Sequence, residues 1–200
     1  MKVLAFADTH GNHTLIKQHV KTAQDENVDL VIIAGDFTMM DQPPQNLVGP
    51  FKAIGKKVLI IHGNHDSETT LDFLSEHYKV GNLNKYAVTY EGVGFFGAGG
   101  AEIGPVLTTE LKIFERIKNG HKYVKDAKKK VMVTHVHPRG SLIEKFSNIV
   151  PSSNSVRKAL DEFKPDILIC GHVHEAQGIE EKIGNTRVIN VSRIGKVFDI

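Results

Sequence analysis

Residues 57–66 read Lys-Val-Leu-Ile-Ile-His-Gly-Asn-His-Asp, an apolar run that stops at side chains able to bind metal or move protons. Such a run, bounded by Gly, fits a strand covered on both faces. The same grammar recurs along the chain. Lys2–Ala7 runs into Asp8-Thr9-His10, and Asp29–Gly35 into Asp36. Val131–His135 leads to His137, and Asp166–Cys170 to Gly171-His172-Val173-His174. Amphipathic stretches separate these runs and predict helices at Leu15–Glu26, Gln45–Ile54, Ser67–His77, Thr108–Lys125 and Ser152–Phe163. Pro43 and Pro44 open a loop before the second, and Asp66 or Ser67 caps the third. After residue 80 a hairpin is expected, Tyr86–Tyr90 and Val93–Ala98 joined by Glu91-Gly92. The tail offers strands at Gly178–Ile183, Arg187–Val191 and Val197–Ile200, with Gly184-Asn185 as a turn. Strand–helix alternation calls for parallel pairing. The expectation is an α/β fold of two mixed sheets face to face, flanked by helices, in a single domain over residues 1–200.

Composition narrows the function classes. With 40% hydrophobic residues the chain is globular rather than disordered. Lys+Arg number 25 against 23 Asp+Glu, and a net charge of +2 is no electrostatic clamp for a nucleic-acid backbone. No apolar run approaches the roughly 20 residues of a membrane span. Met1 leads into a strand without a signal-peptide pattern, and the single Cys170 suits a reducing compartment, so a soluble cytoplasmic protein is expected. Histidine is over-represented: 11 in all, of which His10, His62, His65, His135, His137, His172 and His174 lie at or beside strand ends.

Functional residues of open α/β sheets sit outside the carboxyl ends of the strands. On an extended backbone, residues two apart point to the same side, so Asp8/His10 and His172/His174 each offer two ligands to one cavity. Carboxylates, imidazoles and one amide oxygen suit Mn, Fe, Co, Ni or Zn. The lack of thiolates argues against a structural zinc site. Taken singly, a His-x-His pair or a Gly-Asp turn is ordinary. Five of them, each just after a buried strand, are not.

Asp8-x-His10, Gly35-Asp36, Gly63-Asn64-His65-Asp66, His135 and Gly171-His172-x-His174 resemble, in order, the five motifs of the calcineurin-like metallophosphoesterases. The short chain and its opening Asp-Thr-His-Gly-Asn look like the small stand-alone members near the cyclic-nucleotide phosphodiesterase branch. The resemblance implies a four-layer α/β/β/α sandwich with a dinuclear site. One ion would take Asp8, His10 and His174, the other Asn64, His135 and His172, with Asp36 shared. A shared anion is what permits two cations to sit about 3.5–4 Å apart. Manganese is the first expectation, with Ni, Co, Fe or Zn as alternatives. The implied reaction is hydrolysis of a phosphate ester, a diester before a monoester, by attack of a metal-bridging hydroxide. His65 would protonate the leaving group, and Asp66 would orient His65 or cap the following helix. The implied partner is a small phosphate-ester substrate, a nucleotide among the options, with no membrane; exposed hairpins leave a homodimer open.

In the protein-phosphatase branch an Asp stands three residues after the bridging Asp, and here Met39 does, which argues against a serine/threonine phosphatase. Two other readings compete. A scaffold that has lost hydrolysis usually lacks the catalytic His, whereas His65 is present. A recombination-repair nuclease carries added domains, for which 200 residues leave little room. Weaker candidates remain. Asn12 and His13 are loop residues or substrate contacts, and His62 is packed at its strand end. His137 supports the site or faces substrate, and Arg139 is a phosphate contact. Cys170 is core, Lys-rich 118–130 is a solvated face, and Asn190-Val191-Ser192 has no assigned role. Loops 37–44, 97–107 and 137–150 are expected to set selectivity.

Overall fold

The computed structural model describes residues 1–42 and 45–200, so the loop expected at Pro43-Pro44 lies outside the described residues. Eleven strands are present among them. They are β1 (Lys2–Phe6), β2 (Leu30–Ala34), β3 (Lys57–Ile61), β4 (Gly81–Asn82), β5 (Val88–Tyr90), β6 (Val93–Ala98), β7 (Lys129–Thr134), β8 (Ile167–Cys170), β9 (Glu180–Ile183), β10 (Thr186–Asn190) and β11 (Lys196–Asp199). Five helices join them: α1 (His13–Asp25), α2 (Gly49–Ala53), α3 (Glu68–Tyr78), α4 (Glu110–Val124) and α5 (Asn154–Phe163).

One sheet has the order β11-β1-β2-β3-β4, the other β5-β6-β7-β8-β10-β9. Pairing is parallel inside each sheet, and antiparallel partners (β11, β5 and β9) close the edges. Alternation along each strand explains why the apolar runs are continuous. Val3, Ala5, Ile32 and Leu59 face inward onto Phe95, Val133 and Ile169 of the second sheet. Leu4, Phe6, Ile33 and Ile60, one residue out of step, pack under α1, α2 and α3 through Ile16, Phe51 and Leu71. On the other side Phe96, Met132 and Leu168 meet Ile113 and Ile117 of α4 and Val156 of α5. Both faces of both sheets are thereby covered, giving the four layers α/β/β/α.

Helix starts follow their caps. Asn12 Oδ1 accepts from the amides of Thr14 and Leu15, which starts α1 at His13 rather than Leu15. Ser67, not Asp66, caps α3, since its Oγ accepts from Thr70 N. The helix expected over 45–54 covers only residues 49–53. β4 is beyond reach of the pattern, being two residues long with a glycine. The sheets are stitched where the site forms: Ala7 N donates to Val191 O at 3.1 Å and Arg193 N to Ala7 O at 2.9 Å. No helix among the described residues is long and apolar enough to cross a membrane.

Candidate metal centre

The five polar strand ends converge at the carboxyl edge of the two sheets. Asp8, His10 and His174 bring ligand atoms within 4.8 Å of one another, as do Asp36, His135 and His172, and also His10, Asp36 and His65. Asp36 is common to two of these groups and lies between them: its Oδ2 is 3.6 Å from His10 Nε2 and 3.4 Å from His135 Nε2. Asn64 Oδ1 is 3.0 Å from His135 Nε2.

The convergence does not arise from extended backbone, as the two-residue spacing suggested. Asp8, His10, Asp36 and His172 all have left-handed backbones, with φ between 45° and 71°. Each turns sharply off its strand, and His172 joins the Asp36 group while His174 joins the Asp8 group. Four non-glycine residues in this sparsely populated region are held by the surrounding hydrogen bonds, a pattern that concentrates at functional sites. His10 N, for example, donates to Asp36 O at 2.9 Å, and His172 N to Asp8 Oδ2 at 3.0 Å. The motif glycines allow the close approach: a Cβ on Gly63 would lie 1.9 Å from Asp36 Oδ1, and one on Gly171 would lie 2.6 Å from Ala7 Cβ.

The donor set fits a cation. His135 Nδ1 donates to Ala34 O at 2.9 Å, which leaves Nε2 as the ring atom that faces the Asn64 carbonyl oxygen. A proton on Nε2 satisfies that contact in the metal-free chain, and a cation would take its place. Burial lowers the His135 ring, but the charge of Asp36 and its hydrogen bond overcome this, with Asp8, and push it up to about 9. Burial raises the Asp36 carboxyl, and His135, the His65 amide and His10 outweigh it, so Asp36 stays ionised well below the usual range. Burial and then the His135 charge press His172 down to about 3, a neutral ring whose buried Nε2 has no partner among the described residues. His172 is thus already neutral, as a ligand must be, while His135 must give up its Nε2 proton to bind metal.

The opening is a cavity of about 310 Å³, lined by His10, Asp36, Asn64, His65, His172 and His174, with Ile103, Ile149, Val150 and Glu175 at the rim. Ile103 comes from loop 97–107, and Ile149 and Val150 from 137–150. Loop 37–44, also expected here, supplies none of the described lining. His65 lines the cavity, with its ring edge-on to His10 at 4.8 Å, and its amide donates to Asp36 Oδ1 at 2.8 Å.

Other expected residues fall elsewhere. Asp66 hydrogen-bonds through its carboxylate to neither the His65 ring nor the start of α3. Its buried carboxylate accepts from Gly63 N at 3.0 Å, Phe37 N at 3.2 Å and Thr38 N and Oγ1, both at 2.8 Å. It ties two motif loops together. Burial and then the Asp36 charge push its carboxyl up to about 7. Asn12 is the cap of α1, and His13 lines a separate groove beside α1. Arg139 Nη1 donates to Asn154 Oδ1 at 3.0 Å, away from the cavity. His62 and His137 are fully buried, as is Cys170. Asn190 and Ser192 hold the last motif: Asn190 Nδ2 donates to Gly171 O at 3.3 Å and Val173 O at 3.2 Å, and Ser192 Oγ to Val173 O at 3.3 Å. The sequence reading missed Arg193 altogether. Its Nη2 lies 3.0 Å from His174 Nδ1, which orients the ring so that Nε2 stands 3.2 Å from His10 Nε2.

A family model, calcineurin-like phosphoesterase, matches residues 1–176. The chain belongs to the calcineurin-like phosphoesterase family. Among relatives of this phosphoesterase, the Methanocaldococcus jannaschii protein MJ1162 is 29% identical over 203 residues, covering 96% of this chain and 88% of its own. The Thermus thermophilus protein TT1561 shares the fold at a TM-score of 0.77 and 15% identity, over 96% of this chain and 89% of that one. A structure described as a novel archaeal phosphodiesterase aligns at a TM-score of 0.51 and 19% identity, over 95% and 82% of the two chains.

Proposed function

We propose that the protein is a metal-dependent phosphoric ester hydrolase with two divalent ions, acting on phosphodiesters in preference to monoesters. The observation that carries this is Asp36, placed between two clusters of ligand-type side chains that open into one cavity beside His65. Asp8, His10 and His174 would hold one ion and Asn64, His135 and His172 the other, with Asp36 between them; manganese is the first metal to try. When bound, such ions supply Lewis acidity and lower the pKa of water.

The chain's own groups do the rest. Ala34 O fixes the His135 ring so that Nε2 faces Asn64 and Asp36, and Asn190 with Ser192 holds the loop that aims His172 and His174. His65 is the side chain placed to give a proton to the leaving oxygen, its backbone anchored on Asp36. Ile103, Ile149 and Val150 form an apolar rim for the organic part of the ester. Among the described residues no Lys or Arg lines the cavity, while Glu175 does. That lining suits the single negative charge of a diester better than the double charge of a monoester. The archaeal phosphodiesterase of similar fold supports the same choice.

The test is turnover of aryl phosphate mono- and diesters with Mn, Co, Ni, Zn or Mg. Diester hydrolysis should depend on added metal, and His65→Gln should lower kcat by about 10²- to 10⁴-fold while metal stays bound. Folded, metal-loaded protein inactive on both esters would refute the enzyme reading, and faster monoester turnover would refute the diester preference.

A further inference from the structure

The mouth of the metal centre carries one charge that hydrolysis itself does not use. Glu175 directly follows the proposed ligand His174, and both line the cavity of about 310 Å³. Its carboxylate is not one of the converging donors, since it stands outside all three groups of ligand atoms. Nor does it serve the fold. The short turn His174–Ala176 has no side-chain cap, and Arg193 Nη2, beside it, is turned to His174 Nδ1. Glu175 has no hydrogen-bond or ion-pair partner among the described residues, whereas nearby acids are occupied. Glu180 pairs with Arg187 and Lys196, and Glu181 accepts from Leu142 N at 2.7 Å.

An unpaired carboxylate beside a site for a phosphate anion repels that anion. The repulsion becomes attraction if the ester brings a positive charge of its own. The rest of the rim says what kind. Ile103, Ile149 and Val150 are aliphatic, and Ile149 is 81% exposed, open to whatever enters. N-methyl groups pack against such side chains, while the three N–H donors of a primary ammonium would find few acceptors there. We infer that the preferred substrate is a phosphodiester whose alcohol carries a quaternary ammonium group, with Glu175 as the residue that selects it. This rests on the hydrolase reading and names the alcohol. The phosphate faces the ligand cluster, the carbon chain lies on the aliphatic rim, and the ammonium meets Glu175. A cavity at the low end of ligand-pocket volumes suits so compact a group.

The experiment compares p-nitrophenyl phosphocholine with its neohexyl analogue, in which carbon replaces the charged nitrogen, on the full-length, zinc-loaded protein. At low salt kcat/KM should favour the choline ester about fivefold, the upper range for an exposed ion pair, and the preference should shrink as salt rises. Glu175→Gln should bring the ratio to about one, and Glu175→Lys should reverse it. Calorimetric titration with the corresponding choline and neohexyl methylphosphonates gives the same comparison as dissociation constants, without turnover. A parent ratio near one in either readout, a ratio that survives Glu175→Gln, or equally tight binding of the aminoethyl ester would overturn the assignment. No turnover of either ester, with the binding ratio and its loss in Glu175→Gln intact, would refute hydrolysis and uphold Glu175 as the selecting residue.

Discussion

His135 shows how one side chain is set for its task by atoms it does not share with a ligand. Ala34 O takes the Nδ1 proton, and Asp36 and Asp8 raise the ring's proton affinity until its pKa reaches about 9. A proton and a cation then compete for the same Nε2 lone pair. The sign follows: below about pH 9 an entering ion must displace that proton, so affinity rises with pH, by up to about tenfold per unit. Calorimetric titration of the stripped protein with Zn near pH 7.5, in buffers of different ionisation enthalpy, should show about one proton released, and His135→Gln should abolish that release. The folded-state rise acts on stability as well. In the stripped protein His135 stabilises the fold fully below about pH 6.5 and loses that contribution as pH rises through about 9. This identity was legible from the sequence because a His after a buried strand, set among four similar strand ends, is a strong pattern. Its tautomer was not, because Ala34 lies 101 residues away and its carbonyl carries no sequence signal.

At the scale of elements, the strands were readable and the turns after them were not. Continuous apolar runs announced β1, β2, β3, β7 and β8 within a residue or two, since both faces of each are buried. The left-handed turns at Asp8, His10, Asp36 and His172 follow from hydrogen bonds between loops, which no local propensity encodes. Asn190 and Ser192 belong to the same class. Their sequence drew notice without a role, and the structure makes them a clasp between the end of β10 and the turn bearing His172 and His174. Asn190→Ala would leave the buried Gly171 and Val173 carbonyls without this donor, at about 1–3 kcal/mol. The expected outcome is a lower melting temperature together with at least about tenfold weaker metal binding, since about 1.4 kcal/mol on ligand placement already gives that factor. Thermal melts with and without metal, and a competition assay against a chelating dye, measure the two effects separately.

Across the whole molecule, the proposed ligands run from Asp8 to His174, so the centre exists only when both sheets are in place. Metal that binds the folded chain alone stabilises all of it by mass action, about 2.7 kcal/mol for each ion present at a hundred times its dissociation constant. At roughly 2–4 °C per kcal/mol for a domain of this size, stripping both ions with a chelator should lower the melting temperature by about 10–20 °C. Scanning calorimetry with and without chelator checks it, and an unchanged midpoint would mean that metal does not bind preferentially to the native state. The pairing of β11 with β1 carries a different consequence. Lys2 pairs with Asp199 and Ala5 with Lys196, so one flank of β1 has no neighbour until residues 196–199 have been made. During synthesis on the ribosome, a Lys-Val-Leu-Ala-Phe strand stands with an open edge until residues 196–199 follow it. An open edge of that kind is a template for pairing between nascent chains, and the arrival of β11 closes it.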